Sequence, residues 1–121
     1  MSVDEQNAPG AQASVAGSIS REAVQIVARN TGRGPTRVRT YINDDLVTIV
    51  LQDLLTVSER TLVASGEKQP VLEGRRALQA SMEDDLTALV ERHTERKVIA
   101  FLSANHLEPD IEVETFLLER R

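Results

Sequence analysis

Residues 37–51 have the sequence RVRTYINDDLVTIVL. The first half alternates, with Val38 and Ile42 on one side and arginines on the other, which is typical of a strand with one solvated face. Asn-Asp-Asp at 43–45 is a turn signal, and the apolar run from Leu46 to Leu51 predicts a strand buried on both faces. The segment therefore predicts a β-hairpin made of an edge strand and a central strand.

Helical periodicity precedes and follows this hairpin. Ser18 or Ser20 can cap a first helix that ends near Gly32. Thr56 and Glu59 have the spacing of a capping box, in which hydroxyl and carboxylate satisfy each other's free backbone N–H groups. They predict a short second helix that begins after Thr56 and ends at Gly66.

The second half predicts a long helix and two more strands. The helix runs from Pro70 to about residue 93, and residues 97–103 are interpreted as the second central strand because they are apolar on both faces. A last strand covers residues 111–118, with Glu112 and Glu114 turned outward. The predicted fold is α+β in the order α-β-β-α-α-β-β, with a four-stranded, mainly antiparallel sheet packed on the long helix.

Length and composition indicate one domain. The chain has 121 residues, 40% of them hydrophobic, so residues 18–121 are predicted to form a single α+β domain after a flexible tail at 1–17. A net charge of −5 argues against nucleic acid, and the absence of cysteine excludes disulfides and thiolate metal sites.

The N-terminus lacks the pattern of a secretory signal, so the expected location is the cytoplasm. The longest apolar run, residues 98–102, is far too short to span a bilayer. No direct membrane insertion is expected, and any attachment to a membrane would go through a partner.

The apolar surface exceeds what one chain of this size can cover. The stripe of the long helix continues through Leu89 and Val90, beyond the reach of seven-residue strands, and two strands are apolar on both faces. This excess predicts a homodimer, whereas cover by the first helix and the tail is the alternative.

The segment from Arg29 to Arg39 contains four arginines, two glycines and no acid. Glycine lets backbone N–H groups approach an oxyanion and arginine binds phosphate or carboxylate bidentately, so Arg33, Gly34, Arg37 and Arg39 are candidates for binding an anion or an acidic partner. The alternative is a purely structural interpretation, in which the glycines end the helix and the arginines protect an edge strand from pairing with other chains.

Other chemistry has weak support in the sequence. His93 and His106 lack the spacing of a metal site, and the serines stand in no nucleophile motif. We expect no metal, no cofactor and no catalytic residue, although an enzyme of unrecorded chemistry stays an alternative.

Four short segments together resemble one small bacterial family: Gly32–Pro35, Val38–Ile42 with Asp45–Val47, Leu55–Thr56 with Glu59–Arg60, and Val98–Ser103. This is the MpsC-like family, named after one component of a Na⁺-translocating, membrane-potential-generating system. The resemblance covers residues 18–119.

The resemblance implies a cytosolic accessory protein encoded near a cation-translocating membrane subunit and near a partner linked to inorganic-carbon uptake. The family has no established catalytic residues to carry over. We therefore expect a non-catalytic accessory or regulatory interaction module of such a transport system, with a membrane transport subunit as partner. The alternative is a small-anion sensor that uses segment 29–39.

Overall fold

A computed structural model describes residues 9–121 of the chain, with side chains from residue 14 onward. This part contains three helices and four strands in the predicted order: α1 (Pro9–Thr31), β1 (Arg37–Asn43), β2 (Leu46–Gln52), α2 (Val57–Ala64), α3 (Lys68–Thr94), β3 (Val98–His106) and β4 (Ile111–Leu118). The α+β fold class is confirmed, and every strand pair in the sheet is antiparallel.

Helix α1 begins earlier than its cap signals predict. It starts at Pro9, not at Ser18 or Ser20, so residues 9–17 belong to the helix and not to a tail. Proline suits a first helical position, and the alanines and glutamine that follow favour helix, which outweighs the glycines between them. Residues 1–8, also assigned to the tail, lie outside the described residues.

The strand order of the sheet is β1-β2-β4-β3. As predicted, β1 is an edge strand, β2 is central, and the two form a hairpin with register Arg37↔Gln52 to Asn43↔Leu46. The prediction that residues 97–103 form a central strand is wrong, because β3 is the other edge and β4 takes the central place. Apolar character on both sides of β3 does not mean that both sides are covered.

One face of the sheet packs against the helices and forms the main core. Val47, Ile49 and Leu51 of β2 point into it, and Phe116 and Leu118 of β4 join them. The predicted buried positions of α1 and the stripe of α3 complete it: Ile19, Ala23, Ile26, Val27, Met82, Leu86, Leu89 and Val90. Because α1 packs along α3, the stripe through Leu89 and Val90 is covered within one chain.

Glu112 and Glu114 point into this core, not outward as the sequence predicts. They are 2% and 0% exposed, and they share their side of β4 with Phe116 and Leu118. Period-two alternation puts all four residues on one face, and the two large apolar side chains decide which face is buried. The reversal leaves the other side of β4 without any acid.

Helix α2 is fixed at its start by the predicted capping box. Glu59 accepts from the backbone N–H of Thr56 at 2.9 Å, and Thr56 accepts from that of Glu59 at 3.2 Å. The same carboxylate pairs at 2.5 Å with Arg75 of α3, whose side chain is only 3% exposed. Arg75 also donates to the carbonyl of Leu54 at 2.8 Å, so one buried guanidinium joins α2, α3 and the end of β2.

Glu59→Ala should therefore lower the free energy of unfolding by about 3 kcal/mol, because it leaves the buried charge of Arg75 without its acid. Thr56→Ala removes only the cap and should cost about 1 kcal/mol. Urea unfolding of both variants beside the wild type measures the difference. Equal losses in the two variants would show that the Arg75 pair contributes nothing beyond the cap.

Candidate interaction surface

The sheet has a second side that none of the helices in residues 9–121 covers, and we call it the open face. It consists of the residues of the four strands that alternate with the core positions: Arg37, Arg39, Tyr41, Asn43, Leu46, Thr48, Val50, Gln52, Ala100, Leu102, Ala104, His106, Ile111, Val113, Thr115 and Leu117.

Strand register arranges the open face in rows. One row reads Arg39, Val50, Val113 and Ala104 across β1, β2, β4 and β3. The next row toward the β1–β2 turn begins at Tyr41 and crosses two threonines whose hydroxyls lie 3.5 Å apart. None of the residues of the face is acidic, although the whole chain has a net charge of −5. The face is thus apolar in its middle and basic at one corner.

That basic corner holds two of the four site candidates. Arg37 and Arg39 are exposed on β1 and, with Tyr41 and Gln52, line a shallow depression of about 530 Å³. Neither arginine forms an ion pair within residues 9–121. Both guanidinium groups are therefore available to an anion or to an acidic side chain of a partner.

The other two candidates lie in the loop before β1 and have local contacts. Arg33 donates through Nε to the carbonyl of Asp53 at 3.2 Å, which ties the loop to the far end of β2. A Cβ on Gly34 would lie 3.5 Å from Val24 of α1, so this glycine packs against a helix. Gly32, with φ +78°, ends α1 as the structural interpretation expects. The sequence grouped four residues that the fold separates into a loop pair and a strand pair.

The two histidines lie on different sides of the sheet. His93 hydrogen-bonds Glu22 of α1, and Arg92 pairs with the same carboxylate. The hydrogen bond with His93 is the main cause that lowers the pKa of Glu22, and the charge of Arg92 adds to it. His106 belongs to the open face, and its Nδ1 donates to the carbonyl of Pro109 at 2.8 Å. Their contacts assign them to helix packing and to a turn.

Behind the open face, on the helix side, Glu114 is the centre of a buried polar cluster. It accepts from the hydroxyl of Ser103, and Gln79 Nε2 of α3 lies 3.4 and 3.5 Å from its two oxygens. Asn105 donates to Gln79 Oε1 at 2.6 Å. Glu112 completes the cluster, and its buried Oε2 has no hydrogen-bond partner within the described residues.

Burial raises the pKa of Glu114 to about 9, and the hydrogen bond and negative charge of Glu112 add to the rise. Glu114 is therefore a neutral carboxylic acid at pH 7, and its O–H group can donate a hydrogen bond to Glu112. A neutral Glu114 avoids the repulsion that two charged carboxyl groups would have side by side in the core. The cluster thus holds a proton inside the core, directly behind the open face.

The sequence contained a signal for this cluster. Gln79 and Arg75 stand one turn apart on the apolar stripe of α3, where a polar side chain needs a buried partner. Glu112 and Glu114 lie four and two residues before Phe116 in β4, so all three side chains are on the same side of the strand. Taken together, these two patterns place polar groups opposite each other across the core.

Glu114→Gln should make stability less dependent on pH. The unfolded chain releases this proton above about pH 4.5 and the folded chain only near pH 9, so the neutral form stabilises the fold fully below pH 4.5 and progressively less as pH rises. The wild type should lose up to about 1.4 kcal/mol per pH unit in this window, and the variant less.

Thermal melts between pH 5 and 9 measure this effect, with Glu83→Gln, at an exposed position of α3, as the matched control. The expected result is a higher melting temperature for Glu114→Gln than for the wild type at pH 8. Parallel pH profiles for wild type, Glu114→Gln and control would contradict the assignment.

None of the helices in residues 9–121 combines the length and the apolar composition that crossing a membrane requires. Neither comparison with curated proteins nor comparison with solved structures finds a match to the chain. Comparison with protein families does find one: residues 11–120 match the family described as Na⁺-translocating membrane potential-generating system (MpsC). The match covers nearly the whole chain and agrees with the resemblance found in its short segments. The chain belongs to the MpsC family.

Proposed function

We propose that this protein is a non-catalytic accessory subunit of a Na⁺-translocating, membrane-potential-generating system, and that it works by contact with a membrane subunit. The family match over residues 11–120 is the observation that carries the proposal. The protein would stand on the cytoplasmic side and reach the membrane through its partner.

The outer surface of α3 fits such a partner by its charge. Glu83, Asp84 and Asp85 are consecutive, exposed and without ion pairs in the described part of the chain. Cytoplasmic loops of membrane proteins carry an excess of lysine and arginine. An acidic helix surface and a basic loop attract each other, and this attraction favours docking of α3 at the cytoplasmic face of the membrane subunit.

Affinity purification of the tagged protein from detergent extracts of its own membranes should enrich a cation-translocating membrane subunit. Exchange of the three acids (Glu83→Gln, Asp84→Asn and Asp85→Asn) should reduce the recovery of that subunit several-fold. Recovery should also fall as the salt concentration rises, because exposed charges are screened.

The matched control neutralises three exposed acids elsewhere, with Glu67→Gln, Glu108→Gln and Glu119→Gln. It changes the net charge equally and should leave the recovery unchanged. If no membrane subunit is enriched in any sample, the accessory function is wrong. If control and triple variant behave alike, the docking surface is wrong and the function stands.

A second candidate function is the sensing of a small anion at the basic corner of the open face. The observation in its favour is the pair Arg37 and Arg39, without ion pairs in residues 9–121, beside the depression of about 530 Å³. Two forked guanidinium groups two residues apart on one side of a strand can hold the oxygens of phosphate or bicarbonate.

Millimolar phosphate, bicarbonate or a nucleotide should then raise the melting temperature of the wild type. Arg37→Ala should abolish the rise, whereas Arg76→Ala, at an exposed position of α3, should keep it. Arg33→Ala should keep it too, because Arg33 is engaged with the carbonyl of Asp53. Flat melting temperatures with all three ligands would exclude this function.

A further inference from the structure

Large exposed hydrophobic side chains gather on the open face. In the described part of the chain seven such side chains are exposed, and four of them belong to this face: Tyr41, Leu46, Leu102 and Leu117. A fifth, Ile99, lies in the β-bulge at the edge of the sheet. The two most exposed large hydrophobic side chains of the face, Leu102 at 61% and Tyr41 at 52%, lie on opposite edge strands, so the apolar area spans the full width of the sheet.

We propose that the open face is the interface of a two-fold homodimer, in which the sheets of two copies pack face to face and the helices lie outside. This inference is independent of the proposed function, since the acidic surface of α3 lies on the helical layer and stays accessible.

The size of the face is what a small homodimer needs. Four strands of seven to nine residues cover about 20 by 25 Å, since strands lie about 4.8 Å apart and rise about 3.3 Å per residue. Two copies would therefore bury about 1,000 Å² in total, which is the least area that a biological interface is expected to bury. A single helix of a partner, about 10 Å wide, would cover only half of this width.

The charges of the open face are compatible with a second copy. With the two-fold axis along the strands, β1 faces the second copy's β3, which contains no arginine. With the axis across the strands, Arg37 faces Asn43 of the second copy and Arg39 faces Tyr41, whose ring can accept a cation. In neither arrangement does an arginine face an arginine of the second copy. Because β1 is an edge strand, both guanidinium groups lie at the solvated rim of the interface.

The centre of the face also suits self-association. Val50, Val113 and the two threonines at 48 and 115 surround the position of the two-fold axis. Small β-branched side chains of this kind let two sheets approach to about 10 Å, the usual separation in β-sandwiches. The threonine hydroxyls already lie 3.5 Å from each other, so their burial leaves neither without a polar neighbour.

Light scattering of the full chain at micromolar concentration should give twice the chain mass of 13.4 kDa. Leu102→Glu and, separately, Leu117→Glu should give the mass of one chain, because a buried carboxylate without a partner is costly. The matched control is Val57→Glu on α2, at a side chain that is 73% exposed and away from the face, and it should keep the dimer mass. Circular dichroism checks that each variant is folded.

A second measurement does not depend on disruptive substitutions. The chain has no cysteine, so Thr115→Cys introduces a single thiol next to the expected two-fold axis. A short bis-maleimide should join two copies of Thr115→Cys covalently and leave Val57→Cys without a cross-link.

Three results would overturn the proposal: a wild-type mass of 13.4 kDa, a dimer that both glutamate variants leave intact, or equal cross-linking at residues 115 and 57. The first would leave the open face to another partner or to water. Purification of the membrane subunit by a monomeric Leu102→Glu variant would still support the accessory function, so failure of one proposal is distinguishable from failure of the other.

Discussion

The three helices of the described residues lie on one side of the sheet, and the rest of the structure depends on this one-sided burial. Phe116 on the central strand β4 is fully buried in one cluster with side chains of α1 and α3. Its ring centroid lies 5.1 Å from that of Phe101. Aromatic residues make up only 2% of the sequence, so aliphatic side chains fill the remaining volume of the core. The three helices found in residues 9–121 cover one face of the four strands, and the second face must contact another molecule or stay solvated.

Local signals in the sequence predicted the elements well, and pairing between distant segments was where prediction failed. The β1–β2 hairpin and the capping box of Thr56 and Glu59 are confirmed because each depends on neighbours within a few residues. The exchange of β3 and β4 between edge and centre could not be read from β3. The side chains of β3 that lie on the open face, such as Leu102, are apolar although they are exposed. Composition alone does not distinguish an exposed apolar face from a buried one.

For the candidate surface, the sequence predicted which arginines are exposed but not which residues lie together. Arg37 and Arg39 are exposed on an edge strand, as alternation indicates, whereas Arg33 in the loop before β1 donates to the carbonyl of Asp53, just after β2. Glu114 was assigned to solvent because acids are rarely buried. Its burial becomes possible through Gln79, thirty-five positions earlier in the chain, and through a retained proton. Both conditions are properties of the folded molecule.

The strand order β1-β2-β4-β3 also determines how the molecule comes together. Each hairpin is local, but β2 and β4, which form the centre, pair residues about 60 to 70 positions apart. The first half of the chain supplies one central strand and the second half the other, with Gly66 between α2 and α3. Neither half buries its central strand alone. A chain cut at Gly66 would yield two complementary fragments that form a sheet only when they meet, which makes this fold a natural basis for a split reporter.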